Sequence, residues 1–105
     1  MVKISIFYPN SGRFDMDYYL NVHMPRSIEL LSKGKGYRGV SVERGLGGAS
    51  PGSAPAFVAM CQYVFDTVDD FMAAFMPHAA ELQGDMPNYT DIETTIQVSE
   101  VAISH

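Results

Sequence analysis

Residues 56–65 limit the folds open to this chain more than any other segment. Their side chains alternate between Phe57, Ala59, Cys61, Tyr63 and Phe65 on one side and Val58, Met60, Gln62 and Val64 on the other. A strand that is mostly apolar on both faces must be covered on both, so the segment from Ala56 to Phe65 is expected to lie at the centre of a sheet. The fold must therefore supply one covering layer above this strand and another below it.

The order of the other elements predicts the first covering layer. Apolar patterning predicts strands over residues 2–8, 37–46 and 94–103 and helices over residues 15–33 and 68–84. The resulting order, β-α-β-β-α-β, is that of the ferredoxin-like α+β fold, a four-stranded antiparallel sheet with two helices on one face. The last strand slips phase near Ser99 and Glu100, which predicts a β-bulge or a change of packing partner.

The second helix is expected to begin at Thr67, which can cap its first turn, to kink at Pro77 and to end at Gly84. Its inward stripe is predicted to be Val68, Phe71, Met72, Phe75 and Met76.

The second covering layer is expected to be another copy of the same sheet. Two helices can cover only one sheet face, and face-to-face packing of a second sheet would bury the other. The composition agrees, because 47% of the residues are hydrophobic and only 18% are charged, which leaves apolar surface for a partner. The sequence therefore predicts a homodimer.

Composition also narrows the partners and the location. The length of 105 residues predicts a single domain spanning 1–105. The net charge of −5, with scattered basic residues, argues against nucleic acid. No apolar run is long enough for a membrane helix and no signal segment is visible. The single cysteine, Cys61, is expected to be a core residue in a reducing compartment, so the expected location is the cytoplasm.

The first helix contains the strongest candidate for chemistry. Asp15 is predicted to cap its N-terminus, and Phe14 and Tyr19 occupy the positions of a hydrophobic staple. His23 falls within the apolar stripe of the helix, and Pro25 cannot donate a hydrogen bond to the carbonyl of Asn21. The helix is therefore expected to kink beside an inward-facing imidazole, which can act as a general acid–base near neutral pH. A core histidine bonded to the freed carbonyl is the alternative.

Two runs of the sequence carry a family resemblance that covers almost the whole chain, from Val2 to about Ile103. The run FDMDYYLNVHMP, residues 14–25, and the run DMPNYTDI, residues 85–92, resemble the two signatures of the EthD family, named for ethyl tert-butyl ether degradation. The resemblance implies the dimeric α+β barrel fold, in which two ferredoxin-like sheets close face to face. It also implies a pocket between helices and sheet in which His23 moves protons.

Further site residues are expected around His23. Some relatives use a tyrosine early in the second strand, a role that the resemblance assigns to Tyr37. Tyr89 is expected either to send its phenol into the pocket or to fill the barrel rim, whereas Tyr18, about 140° from His23 on a helical wheel, is expected to lie elsewhere. The expected ligand-binding side chains are Met24, Asn88, Phe57, Phe71 and Phe75.

No metal or cofactor is expected. His78 and Glu81 lie three residues apart on a helix, but no second pair of this kind exists to complete a metal site. The glycines at 45, 47 and 48 join two antiparallel strands and therefore lack the strand-to-helix context of a dinucleotide loop.

Three functional hypotheses remain. The first is a cofactor-independent enzyme acting on a small, mostly apolar, oxygenated ring compound by proton transfer through His23. Its reaction would be an isomerisation, a dehydration or a decarboxylation, with an oxygenation as a further alternative. The second is a non-catalytic protein that binds a small molecule and assists a catabolic or biosynthetic pathway. The third is a dimer that serves only as a small structural module.

Overall fold

The computed structural model describes residues 1–105 and contains one four-stranded antiparallel sheet. Its strands are β1 (Val2–Pro9), β2 (Tyr37–Arg44), β3 (Phe57–Phe65) and β4 (Thr95–Glu100), in the spatial order β2-β3-β1-β4. β3 pairs with both β2 and β1, so the predicted interior position of this strand is confirmed. The ferredoxin-like α+β fold class is confirmed with it.

Two composite helices connect the strands. The first consists of α1 (Met16–Tyr18), a π-helical turn (Tyr19–His23) and α2 (Met24–Leu31). The second consists of α3 (Val68–Phe75), a 3-10 turn (Met76–His78), α4 (Ala79–Asp85) and another 3-10 turn (Met86–Asn88). Both predicted caps are confirmed. The Asp15 side chain accepts a hydrogen bond from the Tyr18 N–H at 3.1 Å, and the Thr67 side chain accepts one from the Asp70 N–H, also at 3.1 Å.

The π-helical turn is the form that the expected kink takes. The N–H of Met24 donates to the carbonyl of Tyr19, five residues back, instead of the usual four. The helix therefore absorbs one extra residue before Pro25 and continues without stopping. Phe14 and Tyr19 pack at its start with ring centroids 5.0 Å apart, which confirms the staple.

The helix-facing side of the sheet forms the core. Ile4, Tyr8, Ala59, Cys61, Tyr63 and Phe65 are all at most 3% exposed. Burial raises the pKa of the Cys61 thiol to about 12, so this thiol stays protonated at neutral pH. Cys61 is thus a core residue, as expected from its position.

Two details of the second composite helix differ from expectation. Gly84 lies inside α4 instead of ending it, and a methyl group at Gly84 would meet no atom within 4 Å. The stripe is also narrower than expected, since Val68, Met72 and Met76 are 39%, 42% and 57% exposed. Ala74 is buried instead. It packs so closely against Gly34 that a Cβ added at Gly34 would lie 2.6 Å from the Cβ of Ala74.

The predicted bulge in β4 is wrong. β4 ends at Glu100 and pairs with β1 without a register shift, so the slip in the apolar pattern marks the end of the strand. The sheet has two register shifts, both outside β4. In the pairing of β1 with β3, Val58 is an extra residue without a partner, and in the pairing of β2 with β3, Arg38 is the extra residue.

The sheet face away from the helices is mixed in polarity and has no covering layer within the chain. Its central row contains Ser5, Gln62 and Gln97, and the neighbouring row contains Phe7 and Met60. Phe7 and Met60 are half-buried. No helix in the structure is both long enough and apolar enough to cross a membrane.

Candidate functional site

His23 lies in the wall between two cavities. An inner cavity of about 480 Å³ lies between the sheet and the helices, and an outer pocket of about 340 Å³ opens at the surface. His23 and Leu82 line both. The imidazole is 8% exposed, so it reaches the two spaces from a nearly buried position.

Asp85 holds one nitrogen of this imidazole. Its Oδ2 lies 2.9 Å from His23 Nδ1, while its Oδ1 accepts the Tyr18 hydroxyl at 2.6 Å and the Asn88 amide at 2.9 Å. Burial alone would raise the pKa of Asp85, but the hydrogen bonds from Tyr18, Asn88 and His23 outweigh it and lower that pKa. Asp85 is therefore an ionised acceptor at neutral pH.

The charge on Asp85 fixes the tautomer of His23. An ionised carboxylate can only accept, so Nδ1 carries the proton and Nε2 of the neutral ring keeps a lone pair. Nε2 lies 3.5 Å from the hydroxyl of Tyr89, which makes at most a weak hydrogen bond. Nε2 is therefore positioned to take a proton from a molecule in the inner cavity.

Two buried phenols complete this end of the inner cavity. The hydroxyls of Tyr8 and Tyr89 lie 2.9 Å apart, and both side chains are at most 3% exposed. Burial raises the pKa of both Tyr8 and Tyr89. Both phenols consequently stay protonated and can donate hydrogen bonds.

The inner cavity is lined by apolar side chains and a few neutral polar groups. No Asp, Glu, Lys or Arg is among them. The lining consists of Ile4, Ile6, Tyr8, His23, Ser27, Leu31, Tyr63, Phe71, Met72, Phe75, Leu82, Gln83, Met86, Tyr89, Thr94, Ile96 and Val98.

The outer pocket is polar. Its lining includes Arg26, Glu81, Asp85 and Asn88. Arg26 Nε donates to Glu81 Oε2 at 2.7 Å, which links α2 to α4 across the pocket. Because both side chains are about half exposed, this ion pair contributes little to stability.

The structure brings together some of the residues expected from the sequence. His23, Tyr89, Phe71 and Phe75 line the inner cavity, and Asn88 lines the outer pocket. The catalytic and ligand-binding roles expected of these residues stay predictions.

Three expected site residues line neither cavity. Tyr37 packs against Phe65, with ring centroids 5.6 Å apart, because β2 is separated from β1 by the whole width of β3. Met24 follows His23 directly, so it turns about 100° around the helix and is buried in the core. Phe57 packs on Phe7, at 5.2 Å, because the extra residue Val58 shifts it out of phase with Ala59.

Asp85 was not among the expected site residues, and the expected position of Tyr18 away from His23 is wrong. An α-helical wheel separates Tyr18 from His23, but the π-helical turn puts residues five apart on the same side, so both side chains reach Asp85. The motif run at residues 85–92 contains Asp85, and this was the available signal. Tyr8, Ser27 and Tyr63 were also missed, because only the fold brings them to the cavity.

No group of three or more His, Cys, Asp or Glu side chains is arranged to hold a metal ion. Glu81, three residues after His78, pairs with Arg26 instead.

The fold and the site together define a ferredoxin-like α+β protein with a histidine–carboxylate pair beside an apolar cavity. The family model described as the EthD domain matches residues 11–93. The chain therefore belongs to the EthD family.

Solved structures of similar proteins share the fold of this chain. An EthD-like protein from Ralstonia eutropha is 42% identical, with a TM-score of 0.89 over 99% of this chain and 94% of that one. An ethyl tert-butyl ether degradation family protein from Bacillus halodurans is 21% identical, with a TM-score of 0.65 over 95% of this chain and 97% of that one. A candidate antibiotic biosynthesis monooxygenase from Bordetella bronchiseptica is 16% identical, with a TM-score of 0.62 over 97% and 96%, and shares the fold alone. A search of the curated proteins returns no match.

Proposed function

We propose that this protein is a cofactor-independent enzyme that moves a proton on a small, mostly apolar, oxygenated ring compound. The observation that carries the proposal is the position of His23. Its Nδ1 is held by Asp85 at 2.9 Å, while its Nε2 faces the inner cavity with only a weak contact, 3.5 Å from Tyr89. A general base needs this combination of one oriented nitrogen and one free nitrogen.

The chemistry follows from these groups. A proton on the ligand carbon next to a carbonyl passes to Nε2, and the resulting imidazolium is stabilised by the charge of Asp85. The carbonyl oxygen gains the electron pair of the broken C–H bond and accepts a hydrogen bond from the Tyr89 phenol. His23 then returns the proton to another atom of the ligand. The net reaction is an isomerisation, which is redox-neutral and needs no co-reactant.

The alternative is a non-catalytic binding protein of the same fold. The observation that favours it is that Nε2 does not face wholly open space, since the Tyr89 hydroxyl lies 3.5 Å away. The apolar inner cavity would serve such a protein equally well.

Hydrogen–deuterium exchange separates the two. We expect the wild-type protein in D₂O to accelerate exchange of the C2 protons of 1-tetralone, an enolisable bicyclic ketone, over buffer alone, as followed by proton NMR. Binding of 1-tetralone without accelerated exchange would favour the binding protein and contradict the enzyme. Native mass spectrometry of the purified protein would identify any natural ligand that co-purifies.

We also expect the protein to be a homodimer. The sheet face opposite the helices carries the half-buried Phe7 and Met60, and the carboxylate of Glu43 has a buried oxygen without a partner there. A second sheet would cover this face and offer a donor to Glu43. Sedimentation velocity at micromolar concentration should give twice the chain mass of 11.6 kDa, and a single 11.6 kDa species would contradict the dimer.

A further inference from the structure

Ser27 and Tyr63 form a second polar point in the inner cavity, separate from His23 and Tyr89. Ser27 lies on α2 and Tyr63 on β3, and their hydroxyl oxygens are 2.5 Å apart. The two residues are 5% and 2% exposed, and both line the cavity.

A count of protons shows that this pair is incomplete. Two hydroxyls carry two O–H donors, and each hydroxyl has only the other as its hydrogen-bond partner. One donor is used within the pair, so the other has no acceptor in the protein. Buried donors nearly always have a partner, so the spare donor calls for one from the cavity.

The charge of the lining limits what this partner can be. Because no Lys or Arg faces the inner cavity, an ionised carboxylate or phosphate would find there only the imidazole of His23, which is already paired with Asp85. A neutral carbonyl or ether oxygen carries no such cost and accepts the spare hydrogen bond.

We propose that the Ser27–Tyr63 hydroxyl pair is a second oxygen-binding point, so that the cavity takes a neutral ligand with two oxygen functions. One oxygen lies at Ser27 and Tyr63 and the other at His23 and Tyr89. This inference rests on the proposed function, since it names the ligand class of the same cavity.

A series of bicyclic probes of nearly equal size tests it. Tetralin carries no oxygen, 1-tetralone carries one and 4-chromanone carries two, since its ring oxygen replaces one CH₂ of 1-tetralone. 4-Chromanone-2-carboxylate adds a negative charge to 4-chromanone. Isothermal titration should show that the wild type binds 4-chromanone about fivefold more tightly than 1-tetralone, as one neutral hydrogen bond allows. It should bind tetralin more weakly than 1-tetralone, and the carboxylate not measurably.

Two variants locate the effect. A single remaining hydroxyl would keep a free donor, so each variant must remove both hydroxyls. The double variants Tyr63→Phe with Ser27→Ala and Tyr63→Phe with Ser27→Val should both abolish the preference for 4-chromanone over 1-tetralone. Tyr37→Phe removes a phenol outside the cavity and should keep the preference. Thermal melting checks that each variant folds, and the second cavity variant keeps the test available if one does not.

The inference is overturned if no probe binds the wild type, if the carboxylate binds as well as 4-chromanone, or if both cavity variants keep the preference. These outcomes are independent of the exchange reaction. Wild-type exchange of 1-tetralone with an unchanged preference in the variants would retain the enzyme and reject the second oxygen-binding point. If the variants lose the preference but the wild type does not accelerate exchange, the second oxygen-binding point is retained and the enzyme is rejected.

Discussion

Replacing His23 by glutamine is expected to slow the exchange of 1-tetralone protons at least about a hundredfold, because general acid–base groups contribute about 10²–10⁴ in rate. The glutamine amide can still donate to Asp85, yet it has no lone pair that takes up a proton near neutral pH. The thermal midpoint should change little, since the size and the Asp85 contact of the side chain are largely kept. NMR exchange rates and thermal melting measure both effects.

His78→Gln is the matched control, because His78 lines neither cavity. It should exchange 1-tetralone at the wild-type rate. Full exchange activity in a folded His23→Gln variant would exclude the proposed role of His23.

Replacing Asp85 by asparagine is expected to lower the exchange rate about a hundredfold, within the range seen when one charge-stabilising group is lost. An asparagine at this position is neutral and cannot stabilise the imidazolium. It also supplies one carbonyl oxygen for the three donors that Asp85 now accepts, from Tyr18, His23 and Asn88. Asp85 is a positioning residue, so the loss should appear in the turnover rate more than in probe binding. Unchanged turnover would show that Asp85 does not act through His23.

Asp85 also predicts a dependence of stability on pH. Its pKa is lower in the folded than in the unfolded chain, so its stabilising contribution is complete above the ordinary aspartate pKa of about 4 and is lost as pH falls through the lower folded value. Urea unfolding between pH 3 and 7 should therefore show a smaller loss of unfolding free energy at low pH for Asp85→Asn than for wild type. Glu93→Gln, at an exposed position, should follow the wild type.

Local signals in the sequence predicted the framework of the fold. Asp15 and Thr67 cap helices through contacts three residues away, and the staple of Phe14 and Tyr19 spans five. Interactions over such short separations are encoded in neighbouring residues, which is why they can be read without a structure. The two apolar faces of β3 were equally local and correctly placed this strand inside the sheet.

The candidate site could be predicted only in part, because its contacts are distant in sequence. Asp85 meets His23 across 62 residues and Ser27 meets Tyr63 across 36, and no periodicity reports such pairs. The wrong positions of Phe57 and Tyr18 have another cause. Each follows from one extra residue, at Val58 in a strand and in the π-helical turn of a helix, which breaks the regular period that the prediction assumed.

The π-helical turn also separates the number of residues in this helix from the direction of its side chains. Deleting Val22 would let residues 19–24 return to ordinary α-helical hydrogen bonding, which is the more common geometry. Tyr18 and His23 would then be four residues apart, and residues four apart on an α-helix lie on the same side, as residues five apart do across a π-helical turn. The extra residue is therefore an insertion that the helix takes up within one turn, so that the side chains on either side of it keep their common direction towards Asp85.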